Sequence, residues 1–301
     1  MVDSQQIAEA ARIIRAGGLV SFPTETVYGL GANALDPAAV ERIFAAKGRP
    51  ATSPLIVHVA DIAMARSLTR EWPAIAQQWA ERYWPGPLTL VLPKAAHVPD
   101  RVTAGLDTVG LRIPNHPVAL ALIRAAGVPI AAPSANRFMQ LSPSEAQHVP
   151  AELADYFLDG GPAQVGIEST VVSLAGSQPV LLRPGVLHLE GLEQAEVPAD
   201  GSAHAAPGQH ARHYSPQTRL ILGPAPESGH GYRWRLPADP AECAAELYAT
   251  LHRLDAMNYD WIAVELPPDT PLWAGIRDRL VRAATPDGAA AGGRPAGESE
   301  R

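Results

Sequence analysis

Short apolar runs, each stopped by a proline or a glycine, are scattered between amphipathic stretches over the first part of the chain: LVSF, PLIVHV, LTLVLP, VGLRIP, VPIAAPSAN, STVVSL and VLLRPG. Runs of this length suit strands. A proline has no N–H with which to continue a ladder, so each strand must be short. SQQIAEAARIIRAGG, PAAVERIFAAKG and PVALALIRAAG repeat apolar residues at helical spacing instead, and two more helices are expected around residues 61–68 and 73–83. Ser4 is the expected cap of the first helix and Gly17–Gly18 its stop. Asp36–Pro37 starts the next helix, which ends at Lys47 and Gly48. YFLDGG adds a further strand. Several strands follow one another directly, so the pattern is α/β or α+β rather than a regular βαβ series.

This compact pattern covers residues 1–190. Residues 191–217 change character, being acidic and rich in Ala, Pro, Gly and His, and read as a linker. A second, smaller α/β unit is expected over 218–285, built from the strands TRLILG and WIAVELP and the helices PAECAAELYATLHRLDAM and PLWAGIRDRLVRAA. Residues 286–301 are Pro, Gly, Ala and charge, the composition of a disordered tail.

Charge and cysteine content exclude some functions. A net charge of −7 and a pI near 5.8 argue against a surface built to hold nucleic acid by neutralising phosphates. Cys243 is the single cysteine, so a disulfide within the chain is impossible and a thiolate zinc site is not expected. The N-terminus lacks a secretory pattern and no apolar run reaches the ~18 residues of a membrane span, so a cytoplasmic location without membrane contact is expected.

Four stretches hold polar groups that local structure does not require. FPTETVYGLGANA contains G-x-G-x-x-A, but PTETVY separates it from its strand, so the dinucleotide context is missing; no P-loop pattern occurs either. AAKGRP sets Lys47 and Arg49 at a helix end. Two cations there can simply complement the helix dipole, yet Lys47 and Lys94 are the only lysines in an arginine-biased chain. Gly48 and Pro50 also fix the backbone between and after them, and convergent fixed cations suit a polyphosphate. APSANRFMQLSPSEA places Ser134, Asn136, Ser142 and Ser144 beyond a strand end, where α/β proteins hold ligands, although Ser142 or Ser144 also fits a helix cap. Arg112 stands inside an apolar strand, paired in the core or facing a cleft as a carboxylate clamp. Glu168, Ser169 and Thr170 open a strand and Arg183 closes one. His204, His210 and His213 have no metal-site spacing.

In this order, FPTETVYGLG, KGRP with PLIVHV, WPGPLTLVL, VGLRIP, PSAN, GIESTVV and LRPG closely resemble the Sua5/YrdC/YwlC family of threonylcarbamoyl-AMP synthases. The paired signature K-x-R and S-x-N of that family stands as Lys47-Gly48-Arg49 and Ser134-Ala135-Asn136, and APGQHARHYSP with the small α/β unit resembles the longer Sua5 type. The resemblance implies a twisted mixed sheet of YrdC type around a large concave cleft, with a small Rossmann-like C-terminal domain. It implies a nucleotidyltransferase that condenses L-threonine, bicarbonate and ATP, with Mg²⁺ accompanying the ATP through ligands the sequence does not identify. Lys47 and Arg49 would be the catalytic cations. Ser53, Thr108, Ser134, Asn136, Ser142, Arg183 and Tyr214 would bind ATP with them. Thr26, His58, Arg112, Ala132 (through its backbone) and Ser169 would bind threonine. Ser53 stands where many relatives carry asparagine. The partner downstream would be a tRNA threonylcarbamoyltransferase complex, with at most a weak contact to tRNA. The linker, through Tyr214 in HARHYSP, would fold over the cleft as a lid. Two rivals remain at this level. One is a double-stranded-RNA or tRNA binder without catalysis, which the net charge disfavours. The other is a carbamoyl-phosphate-using module, whose cysteine pairs are absent here.

Overall fold

The computed structural model describes residues 2–50, 52–195, 206–208, 210 and 212–285. The expected tail at 286–301, His204 and much of the linker lie outside these residues. The first unit contains α1 (Ser4–Arg15), β1 (Val20–Phe22), β2 (Gly29–Asn33), α2 (Pro37–Lys47), β3 (Ile56–His58), α3 (Ile62–Ser67), α4 (Ala74–Tyr83), β4 (Leu88–Pro93), α5 (Asp100–Thr103), β5 (Thr108–Arg112), α6 (Pro117–Ala126), β6 (Ile130–Ala131), β7 (Tyr156–Phe157), β8 (Thr170–Ser173), β9 (Val180–Arg183) and β10 (Glu193–Gln194). The second contains β11 (Arg219–Leu222), β12 (Gly231–Trp234), α7 (Pro240–Asp255), β13 (Trp261–Val264) and α8 (Ala274–Ala284).

The first unit carries a ten-stranded sheet in the order β10-β9-β8-β4-β5-β3-β6-β2-β1-β7. It is mixed: β3 runs parallel to β5 and β4 to β8, whereas β4–β5, β8–β9 and β1–β2 are antiparallel. The second unit has a separate sheet, β11-β13-β12, with both pairs parallel. The fold is thus mixed α/β with a large mixed sheet and a small parallel one. Among the described residues no helix is long and apolar enough to cross a membrane.

Local chemistry moves some element ends away from the sequence reading. Asp3, not Ser4, caps α1: its carboxylate accepts from Gln6 N at 2.8 Å and the Gln6 side chain accepts from Asp3 N at 3.0 Å. Strand β6 is only Ile130–Ala131, because Pro133 cannot donate; beyond it a single bridge joins Gly29 to Ser134. The Ser142/Ser144 signal caps nothing: the segment forms a 3-10 turn at Ala146–His148 without a side-chain cap. GLGAN, which is not among the expected strands, is strand β2, hairpin-paired with β1 and buried over most of its length. Its glycines serve close packing, since a Cβ on Gly31 would lie 2.7 Å from the Phe22 ring and 2.8 Å from Ile130.

The two units share an apolar core. Leu247, Tyr248, Leu251, Ile276 and Leu280 of α7 and α8 pack with Val27, Leu141 and Ile167 of the first unit. The approach is close enough that a Cβ on Gly166 would stand 2.3 Å from the Ala244 carbonyl oxygen.

Candidate active site

Parallel pairing of β3 and β5 brings His58 and Arg112 into register at the carboxyl ends of both strands. The turn between β1 and β2 faces them. Thr24 ties this turn: its hydroxyl accepts from Thr26 N and Val27 N, both at 3.2 Å, and donates to Val27 O at 2.6 Å. The turn sets Thr26 on a cavity wall and aims Glu25 at Arg112. One cavity is lined by Thr26, His58, Arg112, Ala132, Ser134 and Ser169, and also by Arg49, Arg183 and Tyr214. Nine of the sequence-predicted site residues therefore meet in one place.

The other five stand behind or beside this wall. Lys47 Nζ donates to the carbonyls of Ser134, at 2.6 Å, and Asn136, so it is tied to the S-x-N loop across the cleft. Asn136 Nδ2 donates to Arg137 O and Gln140 O at 2.8 and 2.9 Å, which fixes that loop. Ser53 accepts from Arg49 Nη2 at 2.6 Å, so in this state it orients the arginine. Ser142 donates to Glu168 at 2.5 Å. Thr108 lines a neighbouring small cavity with Pro54, Thr89 and Pro207.

Charge is distributed unevenly. Lys47, Arg49 and Arg183 are buried, and none of the three is within ion-pair distance of a described carboxylate. Burial, with repulsion from Arg49, pushes the Lys47 ammonium well below its usual range, Glu168 opposing. Burial and the neighbouring Arg183 bring Arg49 down to about 10. Buried cations without counter-ions are costly, and an anionic ligand that enters between them removes the cost. Arg183 is oriented by Ser169, whose carbonyl accepts from Nη2 at 2.9 Å and from Nε at 3.2 Å. Ser169 Oγ lies 2.8 Å from Thr89 Oγ1.

Arg112 belongs to a second, separate group. Its Nη2 faces Glu25 Oε1 at 2.7 Å and its Nε donates to Gly86 O at 3.2 Å. Burial, then the Arg112 charge, pushes His58 down to about 3, so its imidazole is neutral; its Nδ1 has no hydrogen-bond partner.

Tyr214 is 1 % exposed and stands with φ at 60°, an uncommon backbone state for a bulky residue. The next residue pins it, Ser215 N donating to Met139 O at 2.9 Å. Its ring packs against His213 and Tyr248. Tyr214 thus both lines the cavity and packs the second unit. Among the described residues no group of three or more His, Cys, Asp or Glu is placed to hold a metal. The sequence reading missed Glu25 as the partner of Arg112, and Tyr248 and Arg279 as partners of Glu168. A charged residue inside PTET was the available signal for the first; Tyr248 and Arg279 resemble ordinary helix residues in sequence.

Comparison with known proteins identifies the family and the fold. Residues 12–185 match the Sua5/YciO/YrdC family model, described as "Telomere recombination", and residues 180–285 match "Threonylcarbamoyl-AMP synthase, C-terminal domain". A threonylcarbamoyl-AMP synthase of Pyrococcus abyssi is 48% identical over 237 residues, covering 75% of this chain and 70% of the relative. One from Bacillus subtilis is 41% identical over 325 residues, covering 93% of each. The crystal structure of P. abyssi Sua5 complexed with L-threonine superposes with a TM-score of 0.88 at 39% identity, covering 94% of this chain and 95% of that one. With both family models matched in sequence order and the whole architecture shared, the chain belongs to the Sua5/YciO/YrdC family and carries its additional C-terminal domain.

Proposed function

We propose that the cavity condenses L-threonine, bicarbonate and ATP to threonylcarbamoyl-AMP and pyrophosphate, a nucleotidyl transfer. The observation that carries this reading is two separate groups of cations at one cavity: Arg49 and Arg183 on its wall with Lys47 beside it, none within ion-pair distance of a described carboxylate, and Arg112, paired with Glu25, beside a neutral His58. The relatives named threonylcarbamoyl-AMP synthase and the threonine-bound structure support it.

The chemistry asks for positioning and charge neutralisation more than for covalent help. Threonine's amine adds to bicarbonate carbon and water leaves, giving a carbamate. A carbamate oxygen then forms a bond to the α-phosphorus as the bond to pyrophosphate breaks. Arg112 holds the threonine carboxylate, with Thr26, His58, Ser169 and the Ala132 backbone completing that pocket. Lys47 and Arg49 stabilise charge on the transferring phosphates, and Arg183, Ser134, Asn136, Ser142, Ser53 and Thr108 hold the nucleotide. Both described carboxylates at the cavity are ion-paired, Glu25 with Arg112 and Glu168 with Arg279. Mg²⁺ would enter as part of the substrate, chelated by ATP. The product is a hydrolysable anhydride, which suits prompt hand-over to a separate tRNA threonylcarbamoyltransferase complex in the cytoplasm, for modification of adenosine 37.

The deciding experiment measures pyrophosphate release from ATP with threonine and bicarbonate present together and with each omitted. Release that needs all three supports the reading. Release indifferent to threonine, or none at all alongside tight binding of duplex RNA, overturns it.

A further inference from the structure

Two buried side chains of the C-terminal unit reach across to Glu168, which lines the cavity. From α8, Arg279, 1 % exposed, donates through Nε to Glu168 Oε2 at 2.8 Å. From α7, the Tyr248 hydroxyl lies 3.1 Å from the same oxygen and 3.3 Å from Oε1. Oε1 also accepts from Ser142 Oγ at 2.5 Å. His252 of α7 sets its Nε2 3.1 Å from the Ser142 carbonyl. Arg279 Nη1 donates to Pro184 O at 2.9 Å, directly after Arg183. The C-terminal unit therefore reaches Ser142 directly through His252 and indirectly through Glu168, and also contacts Pro184, the residue following Arg183.

The electrostatics give this arrangement a purpose. Burial would favour the neutral acid at Glu168, but the charges of Arg279 and Arg183 and the Ser142 hydroxyl outweigh it, and the carboxyl stays below its ordinary range. An ionised carboxylate on the wall of a cavity that takes a polyphosphate repels it, unless a cation pairs with it from behind. Arg279 is that cation. It is itself braced by Asp278 at 2.8 Å, which in turn holds Arg282 at 2.8 Å.

We propose that Arg279 is a positioning residue of the nucleotide site: it neutralises Glu168 and, through that carboxylate, aims Ser142, so the site is complete only with the C-terminal unit in place. The proposal rests on the reading of the cavity as an ATP site.

The test uses the full chain as wild type, R279M, R279K and E168Q/R279M. The readouts are KM for ATP in pyrophosphate release, the Kd of a non-hydrolysable ATP analogue, the Kd of threonine, and Tm. R279M is expected to raise KM and the analogue Kd by tenfold or more, with threonine Kd within twofold of wild type. E168Q/R279M is expected to recover to within about threefold of wild type, because the unpaired carboxylate is gone, and replacing both members of a buried pair is commonly tolerated. R279K, which keeps the charge without the fork, falls between. A merely structural Arg279 predicts a lowered kcat, weaker threonine binding and no rescue by E168Q; either that pattern or unchanged nucleotide affinity in R279M overturns the proposal. If R279M does not fold, a folded double variant with near-normal affinity supports the proposal, and one with affinity still tenfold weaker overturns it. A wild type that binds the analogue but makes no adenylate overturns the proposed reaction while leaving the Arg279 test readable through the analogue Kd.

Discussion

Glu25 and Arg112 form an ion pair at 2.7 Å in which each side chain is 4% exposed, and among the described residues neither Glu25 carboxylate oxygen accepts a hydrogen bond. Removing one member of such a pair leaves a buried charge uncompensated, at a cost of roughly 3–5 kcal/mol. Glu25→Gln is therefore expected to lower Tm in the absence of substrate. If Arg112 receives the threonine carboxylate, threonine then supplies the missing anion, and its stabilising shift is larger in the variant than in wild type. Thermal melts with and without threonine check this; equal shifts would remove Arg112 from the carboxylate.

Lys47→Ala is expected to slow adenylate formation about 10²–10³-fold, the usual loss when one fixed electrostatic partner of a transition state is removed. Because the ammonium is buried with no carboxylate in ion-pair range, Tm should hold or rise. Near-normal pyrophosphate release by the folded variant would refute the catalytic role.

Arg112→Lys is expected to weaken threonine binding and spare ATP binding, since an ammonium cannot reproduce a two-pronged contact with a carboxylate. Calorimetry with each ligand separately decides; an equal loss for both would assign Arg112 elsewhere.

His58 makes the fold acid-sensitive. Its folded value, about 3, lies below its ordinary 6.5, so the unfolded chain binds the extra proton between these values. Stability from this group is complete above pH 6.5 and declines as pH falls towards 3. His252, brought down to about 4 by burial and by His148, adds in the same direction. His58→Gln should flatten the slope of unfolding free energy against pH by about one proton in this window, measured by urea titration at several pH values. An unchanged slope would show that His58 is not buried neutral.

Tyr214→Ala tests whether the segment from 207 to 216, of which 209 and 211 lie outside the described residues, acts as a lid. A lid predicts more free, hydrolysed intermediate per ATP consumed, and hydrogen exchange in the segment that slows on adding ATP. The packing to Tyr248 argues for a structural share in its role. Exchange indifferent to ATP, with coupling intact, would leave only that share.

What sequence revealed and what it hid divide along the range of the interactions. The strand end at Pro93 and the helix stops at Gly48 and Gly127 were legible because each is set by one residue's own backbone chemistry. Strand β2 was not: a Gly-Leu-Gly run has no strand preference, and it is held extended by β1 and by the Phe22 ring. Strand β12, with exposed Tyr232 and Arg233, shows no apolar run at all. The KGRP and PSAN loops could be paired because their residue types already fit one ligand. The pairings of Glu25 with Arg112 and Glu168 with Arg279 join distant parts of the chain, and nothing near either partner announces the other.

The shared core bears on modularity. Val27 lines the cavity and Ile167 immediately precedes Glu168 on its wall, yet both pack with side chains from α7 and α8. Cutting the chain before residue 218 would not produce a smaller catalyst with the same pocket. It would leave an apolar scar beside that pocket, and a working single-unit design would first have to repaint Val27, Leu141 and Ile167 for water.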